Sequence, residues 1–312
     1  MAPRLKMPKP GTPEFKTLGE LYLRTPYSEI YHIAEGYGVT ADYLRKQMSM
    51  NGVRRAVPAS VKPRMDSPPK LKGSQVIMPD IHCPYQDKEL IDRTVDLAQA
   101  WGIKSVVLAG DTFEMAAFSV FQNRPSETAE VEIEEGHKLL LSFSDAFENV
   151  LLLKGNHDNR FFHLVREQLT AQHFLRMFDA PPNIKMSEYA QCIIGTGRGK
   201  AWHINHPRNA SVIPGRVPFF LSRKRTDYNV AGGHGHQWGM VATEDEDCPR
   251  LAIDIGMCGD PKRMDWQALW VNTRPPMQQG SLLLKEVDGY YYAYPLHKKF
   301  SDWKSLRRLY SP

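Results

Sequence analysis

The sequence predicts an α/β protein preceded by a small all-α segment. Three observations carry that expectation. Between residues 75 and 153, short apolar runs alternate with helical stretches in the order β-α-β-α-β, which favours parallel strands joined by right-handed crossovers. Beyond residue 190 strands outnumber helices, and Val287-Asp288-Gly289 gives a hairpin turn signal. Before residue 57 the pattern is helical, and a proline- and lysine-rich stretch separates it from the first apolar strand.

Residues 1–17 hold Pro3, Pro8, Pro10 and Pro13 among scattered charges and read as a flexible tail. Residues 18–56 read as a helical segment and 57–73 (VPASVKPRMDSPPKLKG) as a linker. The main domain is expected over 74–297, with a basic tail at 298–312. Its first strand is Gln75–Met78. The stretch 87–101 places Leu90, Ile91, Thr94, Val95, Leu97, Ala98 and Trp101 on one helical stripe. Ser105–Ala109 is a second buried strand, Ile133–Phe147 a helix with Leu140, Phe143 and Phe147 on one face, and Val150–Leu153 a third strand. Later strands are expected at 191–194, 201–204, 228–231, 251–255, 281–286 and 290–294.

Composition excludes several classes. At 312 residues, 42% hydrophobic and 24% charged, the chain matches a globular protein of one large or two unequal domains. No apolar run reaches the roughly 18 residues of a membrane span, and the start MAPRLKMPKP lacks the apolar core of a secretory signal. Cys83, Cys192, Cys248 and Cys258 are far apart, with no C-x-x-C pair, so reduced thiols in a cytoplasm are expected rather than a zinc ribbon or a disulfide framework. The net charge of +5 is uneven. Residues 1–73 carry +7, residues 296–312 carry +4, and the centre carries −6. An acidic centre with basic ends suits a cation-binding core whose flanks touch a polyanion.

The chemistry lies at strand ends. The first strand runs into Asp80-Ile81-His82, the second into Gly110-Asp111, and the third into Gly155-Asn156-His157-Asp158. In parallel sheets, ligands bind beyond the carboxyl ends of the strands. Alternation along a strand sets Asp80 and His82 on one side, where an oxygen and an imidazole nitrogen can grip one cation. Further on, His206 comes after the strand at 201–204, and His234-Gly235-His236 after the strand at 228–231. A mixed nitrogen and oxygen donor set suits Mn, Fe, Zn or Ni better than Ca. His32, His137, His163, His173 and His297 fit no motif.

Taken in order, these motifs resemble the calcineurin-like metallophosphoesterase superfamily: D-x-H, G-D-x-x-D, G-N-H-[DE], a histidine, and G-H-x-H. They correspond here to Asp80/His82, Gly110-Asp111, Gly155-Asn156-His157-Asp158, His206 and Gly233-His234-Gly235-His236, within about residues 75–295. The resemblance implies a four-layer α-β-β-α sandwich holding two divalent metal ions, with Mn favoured and Fe, Zn or Ni as alternatives. It implies one ion on Asp80, His82, Asp111 and His236, and another on Asp111, Asn156, His206 and His234, with Asp111 bridging. His157 becomes the candidate for protonating the leaving oxygen, oriented by Asp158 or Glu114. Glu114 (GDTFE) stands where the family has its second aspartate. Arg160 and Arg208 are candidates to neutralise phosphate. His203 is the rival of His206 in AWHINHPRN, and His206 is preferred because it lies past the strand end.

Residues 30–49 (IYHIAEGYGVTADYLRKQMS) resemble the DNA-binding helix-turn-helix of small regulators. Ile33, Ala34, Tyr37, Gly38, Val39 and Leu44 take its apolar, small and glycine positions. Thr40 is the expected N-cap of the second helix. That helix would expose Thr40, Ala41, Asp42, Arg45 and Lys46, with Arg54 and Arg55 beyond it as phosphate contacts. DNA binding through residues 28–55 is one reading, and a helical hairpin docking on protein is the other.

The function expected is hydrolysis of phosphate esters of nucleic acid or nucleotides, by in-line attack of a water that two cations acidify. The rivals are a protein phosphatase and a DNA-binding regulator with an inactive phosphoesterase domain. The serine/threonine phosphatase branch is disfavoured by GDTFEMAA and G-N-H-D, and the inactive regulator by the complete ligand set. The setting expected is the cytoplasm of a bacterial or phage-infected cell, without membrane attachment.

Overall fold

The computed structural model describes residues 6–25, 29–53, 67–119, 127–195, 198–243, 249–264 and 275–310. Contacts divide the chain into two units, Met1–Ser60 and Val61–Pro312.

Among the described residues, the first unit has three helices: α1 (Pro13–Arg24), α2 (Ile30–Gly36) and α3 (Ala41–Met50). Phe15, Leu18 and Tyr22 recur along α1 and meet Ile30, Ala34, Leu44 and Met48 in a core of their own. α1 starts inside the stretch expected to be a tail. The Thr12 side chain accepts from the Phe15 amide, and Pro13 takes the first helical position, where its missing N–H and fixed φ favour initiation. Phe15, only 5% exposed, anchors it. Between α2 and α3 the chain turns through Gly38 at φ 66°. Thr40 caps α3 as expected, its hydroxyl accepting from the Tyr43 amide at 3.2 Å.

The second unit contains β1 (Lys70–Leu71), β2 (Gln75–Met78), α4 (Lys88–Ala100), β3 (Ser105–Leu108), α5 (Ala129–Ala146), β4 (Asn149–Leu152), α6 (Asn159–Leu164), α7 (Ala171–Met177) and β5 (Ile184–Met186). It continues with β6 (Gln191–Ile194), β7 (Ala201–Asn205), α8 (Arg216–Lys224), β8 (Tyr228–Gly232), β9 (Trp238–Thr243), β10 (Arg250–Ile255), β11 (Gly280–Val287), β12 (Tyr290–His297) and α9 (Trp303–Leu309). One six-stranded sheet has the order β12-β11-β2-β3-β4-β5, the other β1-β6-β7-β8-β10-β9. In the first sheet β2, β3 and β4 pair in parallel, as the crossover order predicts; β5, which the sequence pattern did not indicate, adds a fourth parallel strand, and β11 closes antiparallel on β2.

Alternation explains why these short strands are apolar throughout. Val76, Met78, Val106, Leu108, Val150 and Leu152 face a core shared with Leu90, Leu97, Leu140 and Phe143 of α4 and α5. Ile77, Val107, Leu282 and Leu284 face the other way, onto Cys192, Ile194, Trp202, Ile204, Ala231 and Ile253 of the second sheet. α8 packs on β8, β9 and β10. The unit is therefore a four-layer α-β-β-α sandwich. Two boundaries differ from expectation. Lys70–Leu71, placed in the linker, pairs with Ile193–Ile194 as an edge strand. Residues 303–309, placed in a basic tail, form α9, because Trp303, Leu306 and Tyr310 make an apolar stripe that packs on the main core. The Trp101 indole donates to the Leu306 carbonyl at 3.0 Å. Among the described residues, no helix is long and apolar enough to cross a membrane.

Candidate metal centre

The parallel sheet sets three loops side by side. Asp80 N–H donates to Gly110 O, and His82 N–H to Asp111 O, so the loops after β2 and β3 are tied backbone to backbone. Asp111 Oδ1 then accepts from the His157 amide at 2.7 Å, which brings in the loop after β4. From the second sheet, the loop after β8 closes over this edge, its His234 amide donating to Asp80 Oδ2 at 2.8 Å. Glycine permits these approaches. A Cβ on Gly155 would lie 2.1 Å from the Asp111 amide and Oδ1, and one on Gly233 would lie 2.0 Å from Asp80 Oδ2.

The backbone is strained where the chemistry lies. Asp80, His82, Asp111, His234 and His236 all have φ between 49° and 71°, a left-handed region that non-glycine residues rarely occupy. Each such residue costs on the order of 1–3 kcal/mol and persists where its surroundings over-determine it.

Side-chain geometry divides the motif residues into two linked clusters. In the first, Asp80, His82 and His236 converge. His82 Nδ1 donates to Glu114 Oε2 at 2.7 Å, which leaves its Nε2 as an acceptor. That nitrogen lies 3.2 Å from His236 Nε2 and 4.0 Å from Asp80 Oδ1, and the His236 nitrogen lies 3.3 Å from Asp80 Oδ1. A point equidistant from these three atoms lies about 2 Å from each, the metal–ligand range for nitrogen and oxygen donors. In the second cluster Asp111, His206 and His234 converge. His206 Nδ1 donates to the Ala109 carbonyl at 3.2 Å, turning Nε2 toward Asn156 Oδ1 at 3.0 Å and Asp111 Oδ2 at 3.2 Å. Facing acceptors without a proton between them repel, and a cation removes the repulsion. The donor set therefore fits divalent metal. A third group, His82, Asp111 and His157, puts Asp111 between the two clusters.

The same contacts shift the charges, and between His206 and Asp111 they call for positive charge, a proton or a cation. Burial pushes the Asp111 carboxyl up, but His206 and His157 hold it well below the usual carboxylate range. Burial works against the imidazolium of His206, yet Asp111 raises it to about 9. His157 is likewise disfavoured by burial and raised overall by Asp111 and Glu114. Burial lowers His82 and His234, which favours the neutral, ligating form.

Of the remaining candidates, some adjoin these clusters and others do not. Glu114 sits between His82 and His157, with Oε2 3.1 Å from His157 Nδ1. Of the two carboxylates expected to orient His157, Glu114 is the one that faces it. Asp158 is engaged elsewhere, its oxygens accepting from the Phe113 and Gly155 amides at 3.1 and 2.8 Å. Arg160 braces Glu114, donating to its carbonyl at 2.7 Å and to Oε1 at 3.0 Å. Arg208 lies outside the clusters, exposed on a neighbouring cavity. His203 is also outside, with Nε2 2.6 Å from Gln191 Oε1. Sequence reasoning missed the Ala109 carbonyl and Met277, whose sulfur lies 3.3 Å from His236 Nδ1; neither carries a motif signal. In the first unit, Thr40 and Lys46 are exposed and Arg45 pairs with Asp42, while Arg54 and Arg55 lie outside the described residues.

No family model matches the sequence, and no curated protein matches it. Solved structures do align with it. Vps29 of Chaetomium thermophilum is 12% identical, covering 72% of this chain and 92% of its own, with a TM-score of 0.39. Vacuolar protein sorting 29 of Cryptosporidium parvum is 14% identical, covering 71% and 95%, with a TM-score of 0.36. A predicted phosphoesterase of Streptococcus pneumoniae is 12% identical, covering 73% and 94%, with a TM-score of 0.32. This chain is similar to each at low identity.

Proposed function

We propose that the chain is a dinuclear-metal-dependent phosphoesterase of the calcineurin-like type, acting on nucleic acid or nucleotides. The observation that carries this reading is the pair of acceptor clusters joined through Asp111. Asp80, His82, Asp111 and His236 would hold one cation, and Asp111, Asn156, His206 and His234 the other. The mixed donor set favours Mn, with Fe, Zn or Ni as alternatives. Such a pair supplies Lewis acidity, making a water nucleophilic at neutral pH and neutralising phosphate oxygens.

The chain's own residues do the rest. Glu114 holds the His157 ring, and together with Asp111 it raises the basicity of that imidazole, so His157 carries a proton to the leaving oxygen. Arg160 fixes Glu114 and adds positive charge beside His157, where a phosphate oxygen would sit. The first unit supplies DNA contact through Thr40, Arg45, Lys46, Arg54 and Arg55. The cytoplasm is the setting this reading favours, where the buried Cys83, Cys192 and Cys258 remain thiols.

The test is hydrolysis of bis-p-nitrophenyl phosphate by protein loaded with Mn²⁺, with chelator as control. Turnover that chelator abolishes is expected. Absence of turnover with each of Mn, Fe, Zn and Ni overturns the reading.

A further inference from the structure

Beside the metal centre lies a second feature that the hydrolytic chemistry does not use. A cavity of about 600 Å³ opens between β6, β7, the loop after β7 and α8. One of its walls is His206, the same side chain that meets Asp111 at 3.2 Å, so the cavity adjoins the metal centre directly. Arg208, Arg216, Lys224 and Arg225 line it, and among the described residues no aspartate or glutamate does. Among the described residues, none of the four forms an ion pair with a carboxylate. The sequence carries the same signal at longer range. Residues 189–226 contain seven Lys or Arg and no Asp or Glu, inside a domain whose remainder is strongly acidic.

The wall is built rather than incidental. Gly215 starts α8 at φ 76°, and its amide donates to the buried Asp254 Oδ2 at 2.6 Å, which ties the helix to β10. A Cβ at Gly215 would lie 2.6 Å from Val241. Phe220 stands on the rim, 52% exposed, with the Arg216 guanidinium 5.8 Å from its ring centroid. Unpaired cations around a groove repel one another until an anion enters, and an aromatic face among them offers a base-stacking platform.

We infer that this groove binds a single strand of nucleic acid, holding the phosphates that flank the scissile one. The inference rests on the phosphoesterase reading for what happens at the adjoining centre. A base can stack on Phe220 only when freed from its neighbours, which a single strand allows and a duplex does not. Four cations match successive phosphates of a chain better than the single phosphate of a monoester. Phe220 distinguishes a nucleobase from a peptide side chain of equal charge.

The experiment uses full-length, Mn²⁺-loaded protein and a labelled, hydrolysis-resistant phosphorothioate single strand, read by fluorescence anisotropy at several salt concentrations. Wild type should bind with an affinity that falls steeply with salt. Combining Arg216→Gln, Lys224→Gln and Arg225→Gln should weaken binding at least tenfold. It should also make the log–log salt slope shallower by about 2, since each neutralised phosphate of a single strand contributes roughly 0.7. Lys138→Gln, on the exposed face of α5, should change neither. Phe220→Ala alone should weaken binding about tenfold, the scale of one lost stack, and covers the case in which the triple variant does not fold. Equal affinity of wild type and both groove variants, an unchanged slope, or equally effective competition by a phosphopeptide of matched charge overturns the inference. Turnover of bis-p-nitrophenyl phosphate is measured in parallel. Turnover without strand binding overturns the inference alone. Binding without turnover overturns the hydrolytic reading, and with it the groove's role as a substrate path.

Discussion

His157 touches Asp111 through its backbone amide and Glu114 through its ring, whereas Asp111 turns its second oxygen to His206. The two residues should therefore fail in different ways. His157→Ala keeps the amide and both acceptor clusters, so bound metal should stay near the wild-type level while turnover falls roughly 10²–10⁴-fold, the scale of a general acid. Asp111→Asn removes the charge shared by both clusters and should lower bound metal itself. Elemental analysis beside kinetics separates the two; equal metal loss in both variants would refute the division of roles. Glu114 stands where the family resemblance expects an aspartate. It reaches His157 with one oxygen while Arg160 holds the other at 3.0 Å.

At the scale of elements, α5 holds the loop that carries Glu114. Glu132, buried on α5, accepts from the Ala116 and Ala117 amides at 2.7 and 3.4 Å. Burial raises its carboxyl to about 7. Because the folded-state value lies above the unfolded one, the folded protein binds more protons between about pH 4.5 and 7. Glu132 therefore favours the folded state at low pH, and that contribution is lost as pH rises to 7 and above. Glu132→Gln removes the slope but keeps an oxygen for one amide. Thermal melts at pH 5 and pH 8 should show a larger loss of Tm in wild type than in the variant. An equal change in both would mean that Glu132 does not titrate in this window.

For the whole molecule, the division after Ser60 sets where the chain can be cut. Cutting near Gly73, where the sequence alone places the end of the linker, would delete β1 and expose the edge of β6. A chain beginning at Val61 retains that strand. It should fold, as circular dichroism would show, and should keep metal-dependent turnover of a small ester. It should lose affinity for duplex DNA, and full-length binding should weaken with salt by up to about 0.9 log units per log unit of salt for each phosphate neutralised. Equal duplex affinity with and without residues 1–60 would mean that the three-helix unit docks on protein instead.

The parallel run of β2, β3 and β4 was legible from residues 75–153 because each strand is mostly apolar and each crossover helix keeps one apolar stripe. The strand-end positions of Asp80, His82, Asp111, Asn156, His206, His234 and His236 were legible for a related reason: polar side chains directly after apolar strands have few places to go except a shared sheet edge. Local pattern failed where partners are distant in sequence. Lys70–Leu71 becomes a strand only because β6 lies beside it, 123 residues on at Ile193 and Ile194. The basic C-terminal stretch becomes α9 only because Trp101 and Tyr294 meet Leu306 and Tyr310, through hydrogen bonds at 3.0 and 2.6 Å. The choice of Glu114 over Asp158 as the carboxylate facing His157 was also tertiary, since Asp158 is the sequence neighbour, Glu114 lies 43 residues away, and only the fold spends the Asp158 oxygens on backbone amides. Sequence by itself determined which residues can bind a cation, because donor chemistry belongs to the side chain. The tertiary structure decided which of them converge, because convergence is set by sheet pairing, left-handed turns and the contacts that glycine allows.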